Sequence, residues 1–497
     1  MSTDEATRGR HLWHSARWVA LARWGPLVVT WPVTIALARI LSPADYGYLA
    51  LVTVFTRCGR ILAESGVSNL IVLGPELQRG QLRQLHGWSI AAFGSIAVIL
   101  VLCGRSIERY YGTHGLVPLV AALAAGLMIE GFALAPLASL RRKMAFKVVS
   151  TADILRALGD SLTCLCLALI GAKYWSLVFG YLAGVTIQTL WILWNARLLP
   201  ALPTLAGLTP LAGRAKHLVT ASIAGFLAQN ADAYLGGRIL GAQALGGYTY
   251  MMALAFAPIE KIAGILTYIA PSVFGSLRGD RPALGRATLK LVSASAVIIV
   301  PAFVGLIVVA DDVVAGVLGA KWLPYVSVLR VLCLQGIFVP MMVTIDTALI
   351  AADGEGTFAQ NSMLNLLMLP PSFLLLSHFF GPLGLALAWL VPLPFLIYRR
   401  VSALRVATGI LGADWLRVVG ASTTSALAMG AVVYVVRELL VHSSAIPAVT
   451  RLVICAIAGM AMYGALAIKV HAAEIRWLLG SMSHPLAARM VTLLPTA

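Results

Sequence analysis

Between residues 18 and 470 the chain is a succession of apolar runs of about 20 residues, the length a helix needs to cross the hydrocarbon of a bilayer. Little else can be built from such a string, because a dehydrated run has to satisfy its own backbone and a helix does so within the segment. Fourteen runs qualify, centred on 18–40, 46–68, 87–107, 115–139, 148–170, 174–195, 217–239, 245–269, 288–310, 325–349, 358–380, 383–401, 415–436 and 450–470. The expectation is an all-α integral membrane protein. Charged residues are 11% of the chain, against about 25% in an average soluble domain, so the length counts spans rather than soluble domains.

Loop charges give the orientation. With the N-terminus inside, Arg8, Arg10, Arg17, Arg79, Arg83, Arg141, Arg142, Lys143 and Lys147 are cytoplasmic. So are Arg197, Arg214, Lys216, Arg278, Arg281, Arg286, Lys290, Arg399, Arg400, Arg405, Lys469, Arg476 and Arg489. The outside loops hold chiefly Arg105, Arg109, Lys173, Lys321, Arg437 and Arg451. This positive-inside pattern puts both termini in the cytoplasm. The net charge of +17 is thereby spread over loops facing anionic headgroups, and no nucleic acid partner is expected. All six cysteines lie in apolar runs and read as packing residues, and the polar N-terminus reads as no removable signal peptide.

The most informative stretch is 31–73. An apolar run ends at Arg39-Ile40-Leu41, Ser42-Pro43-Ala44-Asp45 turns it, and a second run starts at Tyr46. Proline disfavours helical geometry in the residue before it, so two helices meet at a short turn. The same phrase returns as Arg238-Ile239-Leu240, with Gly246 in the place of Gly47 and Leu240-Gly241-Ala242-Gln243-Ala244 in the place of the turn. A weak internal repeat in a many-span protein suggests two related bundles.

Arg57, Arg60 and Glu64 are spaced by three and four and share a face. Arg57 lies about 16 Å along its helix from Tyr46 at 1.5 Å per residue, too deep to snorkel easily. Arg23 is nearer the cytoplasmic end of the first span. Asp153, Arg156 and Asp160 repeat the spacing on the fifth span and read as self-compensating. Glu130 is isolated in an apolar run, so it either pairs with an arginine or takes up a proton. Gln229, Asn230, Asp232 and Tyr234 form a polar set on the seventh span, Glu260-Lys261 lies on the eighth, and Arg330 and Asp346 on the tenth. The last four spans carry almost no such charges and read as peripheral; Asp311-Asp312 reads as a solvated helix end.

Neither a HExxH, a paired CxxC, a phosphate-binding loop nor a dinucleotide fingerprint occurs, so the chain reads as no enzyme, with neither a catalytic nor a metal site. The segment LARILSPADYGYLAL resembles the signature of bacterial polysaccharide-export flippases, the Wzx-like polysaccharide transport branch of the MOP superfamily. RRKMAFKVVSTADILRALGDSL with GAKYWSLVFGYLAGV, FLAQNADAYLGGRILGAQALGGYTYMMALAFAPIEKI and DDVVAGVLGAKW follow the same pattern in order. The resemblance implies a fold like that of multidrug exporters (the MATE-like V), with two six-helix bundles and two extra C-terminal helices. On this sequence the bundles are 18–197 and 217–401, with a cytoplasmic segment 1–17, a linker 198–216, and two helices and a tail over 402–497. It also implies translocation of an undecaprenyl-diphosphate-linked oligosaccharide across the bacterial inner membrane, for exopolysaccharide, capsule or O-antigen assembly.

The charges fit that implication. Arg57, Arg60 and Arg156, with Arg23, Lys261 and Arg330, are expected to line a chamber between the bundles and hold the diphosphate, because guanidinium forks match phosphate oxygens. No cofactor is expected; a proton or sodium gradient would act through Glu130, Asp232, Glu64 or Asp160. Glu130 and Asp232 rank first, since Glu64 and Asp160 each have an arginine four residues before them. The expected partners are the lipid-linked oligosaccharide, membrane lipid, and a polysaccharide polymerase with its export machinery. A multidrug or cation antiporter of similar fold would need acids to dominate the cavity. A membrane-embedded glycosyltransferase or polymerase would need a large outside loop, and the outside loops are short.

Overall fold

A computed structural model describes residues 27–73, 78–202, 209–410, 412–442, 446–472 and 476. Every regular element among them is a helix. Nine helices are long and apolar enough to cross a membrane, or ten if the bent pair formed by the first two counts as one span. The chain divides into two compact units, Met1–Gly246 and Gly247–Ala497.

The first unit opens with α1 (Leu27–Ile40) and α2 (Pro43–Leu73), bent by 113° where they meet. Ser42 and Asp45 close the start of α2 on each other. The Ser42 N–H and hydroxyl both donate to Asp45 Oδ2, at 2.8 and 2.6 Å, and the Asp45 N–H lies 3.3 Å from Ser42 Oγ. This is a capping box with proline at the first helical position, where its missing N–H costs nothing. Asp45 Oδ1 also accepts the Tyr174 N–H at 3.0 Å, which fixes α2 against the start of α6 (Tyr174–Ala196).

Between them come α3 (Arg79–Tyr111), α4 (Leu116–Arg142) and α5 (Phe146–Leu169). α4 is apolar around most of its circumference and packs against α2, α3, α5 and α6, as a helix buried on all sides should. Ser89 Oγ donates to Gly131 O at 3.0 Å and His86 Nε2 to Phe132 O at 3.0 Å, pinning α3 to the turn of α4 that carries Glu130. Gly180 and Gly184 present a small-residue stripe on α6. A Cβ on either would press on Asp160, and one on Gly184 on the Arg156 carbonyl as well, so the glycines let α5 approach closely.

The next helix, α7 (Thr209–Ser276), is broken at Gly241, where φ is +76°. Gly241 stands 199 positions after Ser42, so the sequence repeat has a counterpart in the backbone: both copies break at the same place. The two copies also touch. A Cβ on Gly47 would overlap the carbonyl of Ala242, and a Cβ on Gly246 would overlap the carbonyl of Pro43. Since 43 to 242 and 47 to 246 are the same offset, this is one contact read in both directions, as at a two-fold axis.

The second unit contains α8 (Arg281–Val308), α9 (Val326–Ala351), α10 (Glu355–Leu390, broken at Gly381), α11 (Leu393–Thr408), α12 (Gly412–His442) and α13 (Ala448–Val470). Three expectations fail here. Asp312 is no solvated helix end: it is 2% exposed, accepting from Arg437 Nε at 2.5 Å and from Arg451 Nε at 3.0 Å. α12 and α13 are therefore not loosely added helices but are tied by ion pairs to the segment after α8. The partners lie more than a hundred positions away in sequence, so neighbouring residues gave no sign of them. Arg400 is likewise no free loop charge, since it is 5% exposed and donates from Nε to both oxygens of Asp346, at 2.9 and 3.1 Å.

Candidate functional site

Four helices of the first unit surround a cavity of about 340 Å³. α2 supplies Arg57 and Arg60 on one face, as their spacing predicts, above Leu49, Thr53 and Thr56. α4 supplies Glu130, reached along the stripe Leu123, Leu127, Glu130. α5 supplies Arg156 and Asp160, and α6 supplies Leu177 and Tyr181. Of the residues expected to bind or couple, Arg57, Arg60, Arg156, Glu130 and Asp160 thus share one cavity. Glu64 lines a smaller adjoining cavity together with Arg60, Glu130, Arg141, Arg156 and Gln188.

Glu130 is isolated in sequence but not in the fold. Its Oε1 accepts from Arg156 Nη2 at 2.9 Å and lies 3.5 Å from Arg60 Nη1. The absence of a neighbouring partner along α4 is made good by arginines from α2 and α5. Arg60 also donates from Nε to Glu64 Oε2 at 3.4 Å, one turn further along α2. The self-compensating cluster on α5 does not form in the expected way. Arg156 turns from its own helix to Glu130 and, through Nη1, to Gln188 Oε1 at 2.8 Å, and its guanidinium lies 5.8 Å from the Tyr181 ring centroid. Gln188 Nε2 donates onward to Asp153 Oδ1 at 2.9 Å.

Gln188 and Tyr181 escape a reading based on charge alone. Their signal was polarity within an apolar span, eleven and four residues after Leu177 on one face of α6. Arg57 differs from the other two arginines: among the described residues no carboxylate lies within ion-pairing distance of it. Among the described residues, the cavity thus holds Arg57 without an ion pair beside Arg60 and Arg156, which share Glu130, Arg60 pairing with Glu64 as well.

Of the other expected residues, Arg330 and Asp232 lie elsewhere. Arg23 is outside the described residues, and so is the side chain of Lys261. Arg330 belongs to the second unit, where Nη2 donates to Asp311 Oδ2 at 2.6 Å. Asp232 is 4% exposed and its Oδ1 accepts the Ala233 N–H at 2.7 Å. The polar set around it disperses: Asn230 donates to Phe226 O at 3.0 Å, while Tyr234 stacks on Tyr110 with centroids 4.9 Å apart.

Known proteins resemble this chain at the level of sequence and of fold. The lipopolysaccharide biosynthesis protein WzxC of Escherichia coli (strain K12) is 24% identical over 398 residues, covering 79% of each chain. The teichuronic acid biosynthesis protein TuaB of Bacillus subtilis (strain 168) is 23% identical over 339 residues, 67% of this chain and 70% of TuaB. Among solved structures, the lipid II flippase MurJ in an inward closed conformation superposes with a TM-score of 0.70 at 13% identity, over 90% of this chain and 97% of that one. An inward-facing MATE multidrug resistance transporter of the MOP superfamily gives 0.55 at 16% identity, over 82% and 99%. The family model described as "Polysaccharide biosynthesis protein" matches residues 36–327, more than half of the 497, and the chain belongs to that family.

Proposed function

We propose that the protein is a flippase carrying undecaprenyl-diphosphate-linked oligosaccharide across the bacterial inner membrane, and that the diphosphate is held in the cavity of the first unit. The observation that carries this reading is the convergence of Arg57, Arg60 and Arg156 on one cavity, with Arg57 in no ion pair among the described residues. A diphosphate buried in a membrane needs several cations, and planar guanidinium forks meet its oxygens in pairs. The cationic balance disfavours export of a cation, for which acids should dominate. The sequence relatives support a polysaccharide precursor as cargo, because WzxC and TuaB are named for lipopolysaccharide and teichuronic acid synthesis. The protein is a transporter, not an enzyme.

Fourteen crossings are the topology we propose, counting the broken α7 as two and joining the part of α10 after Gly381 to α11 as one, with bundles over 18–197 and 217–401, two further helices beyond, and both termini cytoplasmic. A polymerase and its export machinery would receive the product outside. We propose that Arg23, Lys261 and Arg330 also line the path of the diphosphate, Arg330 from its pair with Asp311. Coupling to a proton or sodium gradient, if the cycle uses one, runs through Glu130, Asp232, Glu64 or Asp160.

Replacing Arg57 tests the core of this reading. Arg57→Ala should abolish polysaccharide export while the protein accumulates normally, and Arg57→Lys should restore part of it, since a point charge lacks the fork. Export at the wild-type level in Arg57→Ala, scored by cell-surface polymer in a deletion strain, refutes the assignment.

A further inference from the structure

The Glu130 carboxylate does something no packing requirement of α4 demands. Its neighbours along the helix face are Leu123 and Leu127, yet it is 8% exposed and draws in two guanidiniums from two other helices. Arg60, Glu130 and Arg156 line both the 340 Å³ cavity and the smaller one of about 60 Å³. The ion bridge is thus the shared wall of the two spaces. These three side chains come from three different helices.

We propose that Glu130 is an internal stand-in for the diphosphate: it occupies Arg60 and Arg156 while the site is empty, and the arriving diphosphate takes both arginines from it. The inference rests on reading the cavity as the diphosphate site. Exchange of one anion for another means that Arg156, whose ion pair is with Glu130, is not left unpaired in a dehydrated place, which would be costly, while Arg60 keeps Glu64 as well. The diphosphate prevails on arrival because it carries more charge and more oxygens than one carboxylate, so each arginine gains a fork. The carboxylate prevails on departure because it is tethered beside the arginines and rebinds without a search. Arg57 has no such substitute and makes first contact. Opening the wall gives the headgroup room on the side lined by Arg141 and Gln188.

A transporter without the stand-in should therefore hold its cargo too well. The test uses purified full-length protein in nanodiscs, with farnesyl diphosphate as a soluble prenyl diphosphate probe. Glu130→Gln, close to isosteric, should bind the probe about tenfold more tightly than wild type and export polymer more slowly at normal protein level. Glu130→Asp keeps the charge on a shorter arm, weakens the bridge, and should tighten binding by less. Unchanged or weaker binding in whichever variant folds overturns the stand-in. Arg57→Ala separates the two layers of argument. Should it bind the probe like wild type, the cavity is not the diphosphate site. Should it lose the probe while Glu130→Gln gains nothing, the site stands and the stand-in alone is wrong.

Discussion

Glu130 and Asp312 are both buried acids, and each is held by two arginines from other helices. Their consequences differ with their surroundings. Glu130 borders a cavity, so its partners can be taken by something else; Asp312, at 2% exposure, holds Arg437 and Arg451 in a closed ion cluster that Asp311 and Arg330 extend. Removing one member of a buried pair leaves the other charge uncompensated, at a cost of about 3–5 kcal/mol. Asp312→Asn should lower the thermal midpoint of the detergent-purified protein accordingly. Changing Asp312 to Leu together with Arg437 and Arg451 to Met should recover much of the loss, because well-packed apolar residues often replace such a cluster without penalty. Sequence spacing was a good guide to which residues share a face, and so Arg57, Arg60 and Glu64 were legible. It was a poor guide to which residues pair. Arg156 had Asp153 and Asp160 within one turn, yet its guanidinium goes to Glu130, 26 positions away, and to Gln188, 32 positions away.

At the scale of the element, the start of α2 concentrates the most constraint in the fewest residues. Ser42 and Asp45 cap it, Pro43 begins it, and Gly47 lets the backbone of α7 come within reach. Gly47→Ala and Gly246→Ala should each lower the folded yield and the thermal midpoint, because the obstruction is a carbonyl of the main chain and not a side chain that can swing away. Gly94, in the middle of α3, meets nothing within 4 Å. Gly94→Ala should instead leave stability unchanged or raise it by about 0.4–1 kcal/mol, by restricting the unfolded chain. A fall for Gly94→Ala equal to that for Gly47→Ala, measured side by side, contradicts this account. The sequence placed both breaks, at Ser42 and at Gly241, because punctuation by glycine and proline is local. The contact between the two copies was beyond it, since nothing in a repeat says that its copies should touch.

For the molecule as a whole, hydropathy is the readiest signal and also a biased one. The helices that qualify as spans on their own are the most apolar; α5, which bears Asp153, Arg156 and Asp160, is not among them. A transporter needs charges in the membrane, and a helix that carries several of them, as α5 does, is one a hydropathy test passes over, while α4 with its single Glu130 is not. The orientation we propose leads to a direct check in a background without native cysteines. Cysteine at position 143 should react with an impermeant reagent only after the cells are opened, and cysteine at 173 should react in intact cells. Labelling of position 143 from outside reverses the scheme.

The reciprocal contact of Gly47 and Gly246 also sets a schedule for synthesis. Residues 43–47 leave the ribosome early, but the backbone they pack against follows 199 residues later. At about 5–20 residues per second, this is a delay of roughly 10–40 s. During that interval α2 is already made and its close-packing surface is bare, in a bilayer where other nascent helices are arriving. The glycines that make the finished contact tight are the same ones that leave a smooth, featureless groove on the unfinished chain. A ribosome pause shortly before codon 246 would lengthen that exposure.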